Sequence, residues 1–204
     1  IDNNLQLKGI YNMKKYEDEH YRYENIRDRI YPWVKKEIKD SHVLNGKRIL
    51  KNAAAIAFVG DLKIVFAVKR DGDCYEIIMD NMLAPDTDME ALYHTACANL
   101  VRDVEFVIGN TWDGAYSIIA DGIHEASAVC FKHIWQVCAD KLKDDLVIMM
   151  PCKDTVLFAP ASQRKVVEGM LEHGQKAYDT ATDRITDMTF LFSQERKELT
   201  VYGA

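Results

Sequence analysis

The stretch LVIMMPCKDTVLFAP, residues 146–160, constrains the fold more than any other part of this chain. Two apolar runs, LVIMM and TVLFA, stand only four residues apart. A parallel pair of strands needs a crossover of roughly a dozen residues or more, so runs this close pair antiparallel. The four intervening residues, Pro151-Cys152-Lys153-Asp154, carry the chemistry of a turn. Proline presets φ, and an aspartate accepts hydrogen bonds from turn amides. Other apolar runs follow the same logic. RILKNAAAIAFVG, DLKIVFAVKR and CYEIIMD read as three strands, with Val59-Gly60-Asp61 and Arg70-Asp71-Gly72-Asp73 as turns between them. EFVIG and GAYSIIA read as strands around Asn110-Thr111-Trp112-Asp113, and EASAVC as a further strand. IVFAV is continuously apolar, which predicts a strand covered on both faces. The final stretch, MTFLFSQERKELTVYG, reads as a hairpin in which Leu199 and Val201 alternate with Thr200 and Tyr202.

Helical periodicity marks four other stretches. Met89, Leu92, Ala96 and Leu100 form an apolar stripe, and Thr87 with Glu90 predicts a capping box at its start. FKHIWQVCADKLK places Phe131, Ile134, Trp135, Cys138 and Leu142 on one side of a helix. ASQRKVVEGMLEHGQKAYD does the same with Val166, Val167, Met170 and Leu171, while Gly169 and Gly174 either weaken that helix or let it pack closely. In residues 11–40, Ile26, Ile30, Val34 and Ile38 recur every four positions. Pro32 interrupts that stripe, which predicts two helices or one kinked helix. Tyr11, Tyr16, Tyr21, Tyr23 and Tyr31 read as a packing face in preference to a partner surface. The expected fold class is α+β, with largely antiparallel mixed sheets packed with helices and a helical N-terminal leader. The expected division is a leader over 1–45, packed on or beside a single α+β domain over 46–204.

Composition narrows the function classes. The 204 residues carry a formal net charge of −6, and the 26 basic residues form no long run, so nucleic acid is not an expected partner. Five cysteines without a C-x-x-C spacing read as buried thiols in a reducing compartment, which points to the cytoplasm. No apolar stretch approaches the ~20 residues of a membrane helix, so no membrane partner is expected. The opening IDNNLQLKGIYNMKK does not read as a signal peptide.

Few residues suggest chemistry. Lys153 and Asp154 form a polar pair that either makes a turn or contacts a ligand at a cleft mouth. Cys152 beside them has no base assigned by the sequence to activate it. His94 and Cys97 share a helix face at metal-ligand spacing, yet no further ligand is signalled nearby. His124-Glu125 opens like a zinc-protease motif, but Ala128 stands where the second histidine belongs. Trp112, in a polar loop, is a candidate to stack on a ligand or anchor a partner. Phosphate-binding glycine loops and the G-x-S-x-G elbow are absent from the sequence. No metal site and no cofactor is expected.

The segments DLKIVFAV, LYHTACANL, EASAVCFKHIWQVCADKL and DLVIMMPCKDTVLFAP, in this order, resemble the bacterial YtpQ-like family of proteins of unknown function. The resemblance covers about three quarters of the chain, from residue 47 onward. Cys152 and Lys153 stand where the family pattern suggests a small hydroxyl residue and an arginine. The resemblance implies a similar fold and brings no established reaction or catalytic residue. The expected function is a non-enzymatic interaction module that contacts a protein partner through the leader or the final strand, by addition to a sheet edge. The alternative is a small-molecule-binding protein or an enzyme of unrecognised type. Its pocket would lie near Lys153 and Asp154 and would draw in Trp112 or His94. A third reading is a scaffold within a longer chain. Homo-oligomerisation stays open at this level.

Overall fold

The computed structural model describes residues 18–36, 53–72, 74–111 and 113–203. The fold is α+β, and the chain divides into two compact units. One contains the described residues of 18–32, 53–56 and 65–102; the other contains those of 33–36, 57–64 and 103–203. Strands β1 (Ile30–Lys36), β2 (Ala55–Ala57), β3 (Leu62–Lys69) and β4 (Tyr75–Ile77) form a four-stranded sheet in the order β1-β3-β2, with β4 also paired to β3.

In the first unit, the helical turn α1 (Tyr23–Ile26) and helix α2 (Met89–Asp103) close a core of Ile26, Ile30, Phe66, Val68, Ile78, Leu92 and Ala96. Helix α2 is capped one residue later than expected. Asp88, and not Thr87, accepts from the amides of Glu90 (3.0 Å) and Ala91 (3.1 Å). An N-cap carboxylate meets these otherwise orphan amides. Buried Asn99 ties α2 to the N-terminal segment, its Nδ2 donating to the carbonyls of Arg27 (2.7 Å) and Ile30 (2.9 Å).

The helical reading of residues 11–40 needs correction. Helical turns occupy Glu19–Tyr21, Tyr23–Ile26 and Arg27–Arg29, but Ile30–Lys36 is a strand. Pro32 explains the switch. It cannot donate inside a helix, and it pushes the preceding residue toward extended backbone. An edge strand tolerates it, and β1 is at one end of its sheet. Three of the five tyrosines are described; Tyr21 and Tyr31 pack, while Tyr23 is 41% exposed. Tyr21 donates to Glu76 at 3.1 Å, Tyr23 meets the Thr95 hydroxyl at 3.1 Å, and Tyr31 lies edge-on to Tyr75. Tyr11 and Tyr16 lie outside the described residues.

The second unit is built on a six-stranded sheet in the order β10-β9-β7-β8-β6-β5, antiparallel throughout. The chain makes it as three hairpins: β5 (Val107–Asn110) with β6 (Tyr116–Ile119), β7 (Leu146–Cys152) with β8 (Thr155–Pro160), and β9 (Thr189–Ser193) with β10 (Glu198–Val201). Helix α3 (Lys132–Leu142) separates the first two hairpins, and α4 (Arg164–Thr180) the last two. Val167 and Met170 of α4 pack on Val147, Leu157 and Ala159. Trp135 of α3 meets Phe158 edge-on, with ring centroids 5.6 Å apart. Neighbouring strand residues point to opposite faces, so Leu157 faces α4 while Phe158 faces α3. The central hairpin is therefore covered on both sides. All seven residues of β7 are buried, which is why LVIMM shows no alternation.

EASAVC, expected as a strand, is a 3₁₀ segment at Glu125–Cys130. Its small residues Ala126, Ser127 and Ala128 are buried in a tight winding, which Phe131 closes by donating to the Ala128 carbonyl at 3.0 Å. A six-residue run of mostly small residues carries too few periods to separate the two conformations.

Candidate functional site

The polar corner between β7 and β8 is tied into its surroundings. Lys153 Nζ donates to the Gly122 carbonyl at 2.7 Å, and the ammonium lies 4.0 Å from Asp154. The Lys153 carbonyl accepts from Ala126 (3.0 Å), and its amide donates to Asp183 (3.3 Å). Ile185 donates to the Pro151 carbonyl at 2.9 Å. The space beside the corner, lined by Trp33, Lys35, Ile123, Ser127, Lys153 and Ile185, measures about 10 Å³. That is room for no more than one water. Burial lowers the pKa of Lys35; nearby Asp183 opposes this and the Lys153 charge adds to it. Burial also raises the Cys152 thiol, so the thiolate is disfavoured.

The open end of the large sheet is different. Strand β5 ends the sheet, and its apolar side chains reach solvent: Val107 is 50% exposed, Ile108 44%, and Ile119 of the neighbouring strand 51%. In the register, Val107 is opposite Ile119, Gly109 opposite Ser117, and Ser117 opposite Leu157. Side chains of directly opposed residues share a face. Val107, Gly109, Ser117 and Ile119 therefore lie on the face that α4 covers further along, over β7 and β8. Gly109 has no side chain, so Ile119 leans over it; a Cβ there would come 2.7 Å from Ile119 Cδ1. The amide of Thr111 donates to the Ala115 carbonyl at 2.8 Å. Antiparallel bonding alternates along a strand, so residues 107, 109 and 111 bond inward to β6. The backbone groups of Ile108 and Asn110 point to the open edge.

Where this edge meets the β5–β6 turn there is a cavity of about 240 Å³. Buried Ala115, Leu157 and Met170 form its floor, and Asn110, Thr111, Asp113 and His173 its rim. The Thr111 hydroxyl bonds Asp113 Oδ1 and lies 2.8 Å from the Ala115 carbonyl; the Ala115 amide donates to Asp113 Oδ1 at 3.3 Å. The Thr111 hydrogen bond lowers the Asp113 pKa; partial burial opposes it, and the Ala115 amide and His173 reinforce it. The carboxylate is thus held ionised. A Cβ built at Gly169 of α4 would stand 3.9 Å from Asp113 Oδ2, so the helix leaves that oxygen uncrowded.

No family model, curated protein or solved structure matches this chain.

The site therefore rests on geometry. Of the four residues singled out in the sequence, Lys153 and Asp154 sit together at the corner. His94 is on α2 in the other unit, largely exposed and 3.8 Å from Glu90. Trp112 lies outside the described residues, although its neighbours Thr111 and Asp113 line the cavity. His124 is fully buried, with Nδ1 2.8 Å from Asp121 Oδ2. Burial opposes the charge on Asp121, but bonds from His124 and the local amides outweigh it and lower that pKa. Among the described residues, no group of three or more metal-ligating side chains comes together, and no helix is long and apolar enough to cross a membrane. Leu157, Met170 and His173 were not anticipated as site residues. Each sits in an ordinary strand or helix pattern, and only the packing of α4 over β8 brings them to the turn.

Proposed function

We propose that this chain is a protein-interaction module that takes an extended segment of another protein along β5. The observation that carries the reading is an edge that no strand among the described residues pairs with: Val107, Ile108 and Ile119 are about half exposed around outward-pointing backbone groups. Sheet edges in native proteins are blunted by short length, charged side chains, proline, bulges or covering elements. Strand β5, Val-Ile-Gly-Asn, is short at four residues, but it carries no charge and no proline. An added strand would satisfy the outward groups of Ile108 and Asn110 and cover Val107 and Ile119, the usual mode of strand addition.

The test is selection of seven-residue peptides from a random phage-displayed library on the immobilised protein. Selected peptides should alternate β-branched residues. They should lose binding to Ile108→Pro, which removes an outward donor, and to Val107→Lys, which charges the edge. Circular dichroism melts establish that both variants are folded. Peptides that bind both folded variants as well as the wild type would overturn the reading.

A further inference from the structure

We infer that the cavity beside the β5–β6 turn selects a lysine or arginine side chain of the incoming strand. This inference rests on the edge reading above and adds what the partner must carry. Three observations support it. First, the cavity adjoins the edge, because Asn110, the last residue of β5, is part of its rim. Thr111, also on the rim, is on the same sheet face as Val107 and Gly109 by alternation. A partner residue opposite Thr111 would direct its side chain along that face. Neighbouring strands lie about 4.8 Å apart, so only a long side chain spans from the new strand to the cavity.

Second, the lining suits an amphipathic chain with a cationic end. Ala115, Leu157 and Met170 offer an apolar floor for a methylene stem. Asp113 offers an ionised carboxylate whose Oδ1 is engaged by Thr111 and Ala115 and whose Oδ2 faces the side-chain-free Gly169. Long basic side chains bury their stems on apolar surface while the charge finds a partner. Third, the charged residues that immediately flank β5, Glu105 before it and Asp113 after it, are both acidic, with His173 the one basic group among the described residues of the cavity rim. A second copy of this chain pairing antiparallel along β5 would bring Glu105 toward the Asp113 turn, carboxylate toward carboxylate. Like charges placed opposite each other across strands are destabilising. The edge thus disfavours self-pairing and favours a basic partner.

The experiment uses peptides from the selection described above, each made with its basic residue and with norleucine in its place. Wild-type protein should bind the basic form about three- to five-fold more tightly than the norleucine form, as expected for an ion pair at a largely solvent-accessible carboxylate. Asp113→Asn keeps an acceptor for Thr111 and Ala115, and the ratio should collapse toward one. A wild-type ratio near one, with both peptides still lost on Ile108→Pro, overturns the basic-residue inference and leaves the edge reading standing. A ratio that survives Asp113→Asn also overturns it. If the library yields no binder, and sedimentation shows a dimer that Ile108→Pro dissociates, the occupant is a second copy and both readings fail. No binder and no dimer overturns both as well.

Discussion

Two glycines on one helix make opposite predictions when changed to alanine. Gly169 and Gly174 both lie inside α4, where replacing glycine by alanine favours the helix by about 1 kcal/mol. A Cβ at Gly169 would meet only Asp113 Oδ2, at 3.9 Å, an ordinary contact. Gly169→Ala should therefore stabilise the protein by about 0.5–1 kcal/mol. A Cβ at Gly174 would collide with Met149 Sδ, in a side chain that is 2% exposed and held in the central strand β7. Overpacking of this kind costs about 1–3 kcal/mol. Set against the helix gain, Gly174→Ala should lie between neutral and about 2 kcal/mol destabilised. Urea denaturation of both variants, with the slope held constant, measures the difference directly. Trimming the neighbour offers a check, since Gly174→Ala should cost less in a Met149→Ala background than in the wild type. If Gly174→Ala stabilised the protein as much as Gly169→Ala, α4 would not approach β7 as closely as described, and the floor of the cavity beneath Met170 would be misplaced.

Other outcomes follow from single sites. Lys35 has a folded-state pKa below its unfolded value, so the unfolded chain binds more protons between those two values. Stability should rise with pH across that alkaline window, and Lys35→Met should flatten the rise in pH-dependent melting curves. Asn99→Ala leaves the Arg27 and Ile30 carbonyls without their side-chain donor and should cost about 1–3 kcal/mol by chemical denaturation. Asp113 has a lowered pKa, so its contribution is present above the ordinary carboxylate range and lost as pH falls through the folded-state value. Asp113→Asn should therefore reduce the loss of stability on acidification.

Much of this architecture was legible in the chain because local signals agreed. The short separation of LVIMM from TVLFA predicted the central hairpin, and the Trp135 and Met170 stripes predicted the helices on either side. Where signals conflicted, proximity in the fold decided. The four-residue spacing of Ile26, Ile30 and Val34 suggested a helix, but Pro32 and an available sheet edge made β1. The corner at Lys153 drew notice because its residue types carry chemistry, yet its amine, amide and carbonyl bond neighbouring loops. The cavity was only half visible. Its turn stood out, while Leu157, Met170 and His173 reach it from two distant elements whose own patterns concern only packing.

Amide hydrogen exchange along β5 tests the open edge most directly. Without a partner, the amides of Ile108 and Asn110 should exchange quickly, while Val107 and Gly109, bonded inward to β6, should be protected. Adding a selected peptide should slow exchange at Ile108 and Asn110 in particular. Protection of Ile108 and Asn110 equal to that of Gly109 before any peptide is added would mean the edge is already covered. A peptide that bound without slowing either amide would mean that recognition lies elsewhere on the molecule.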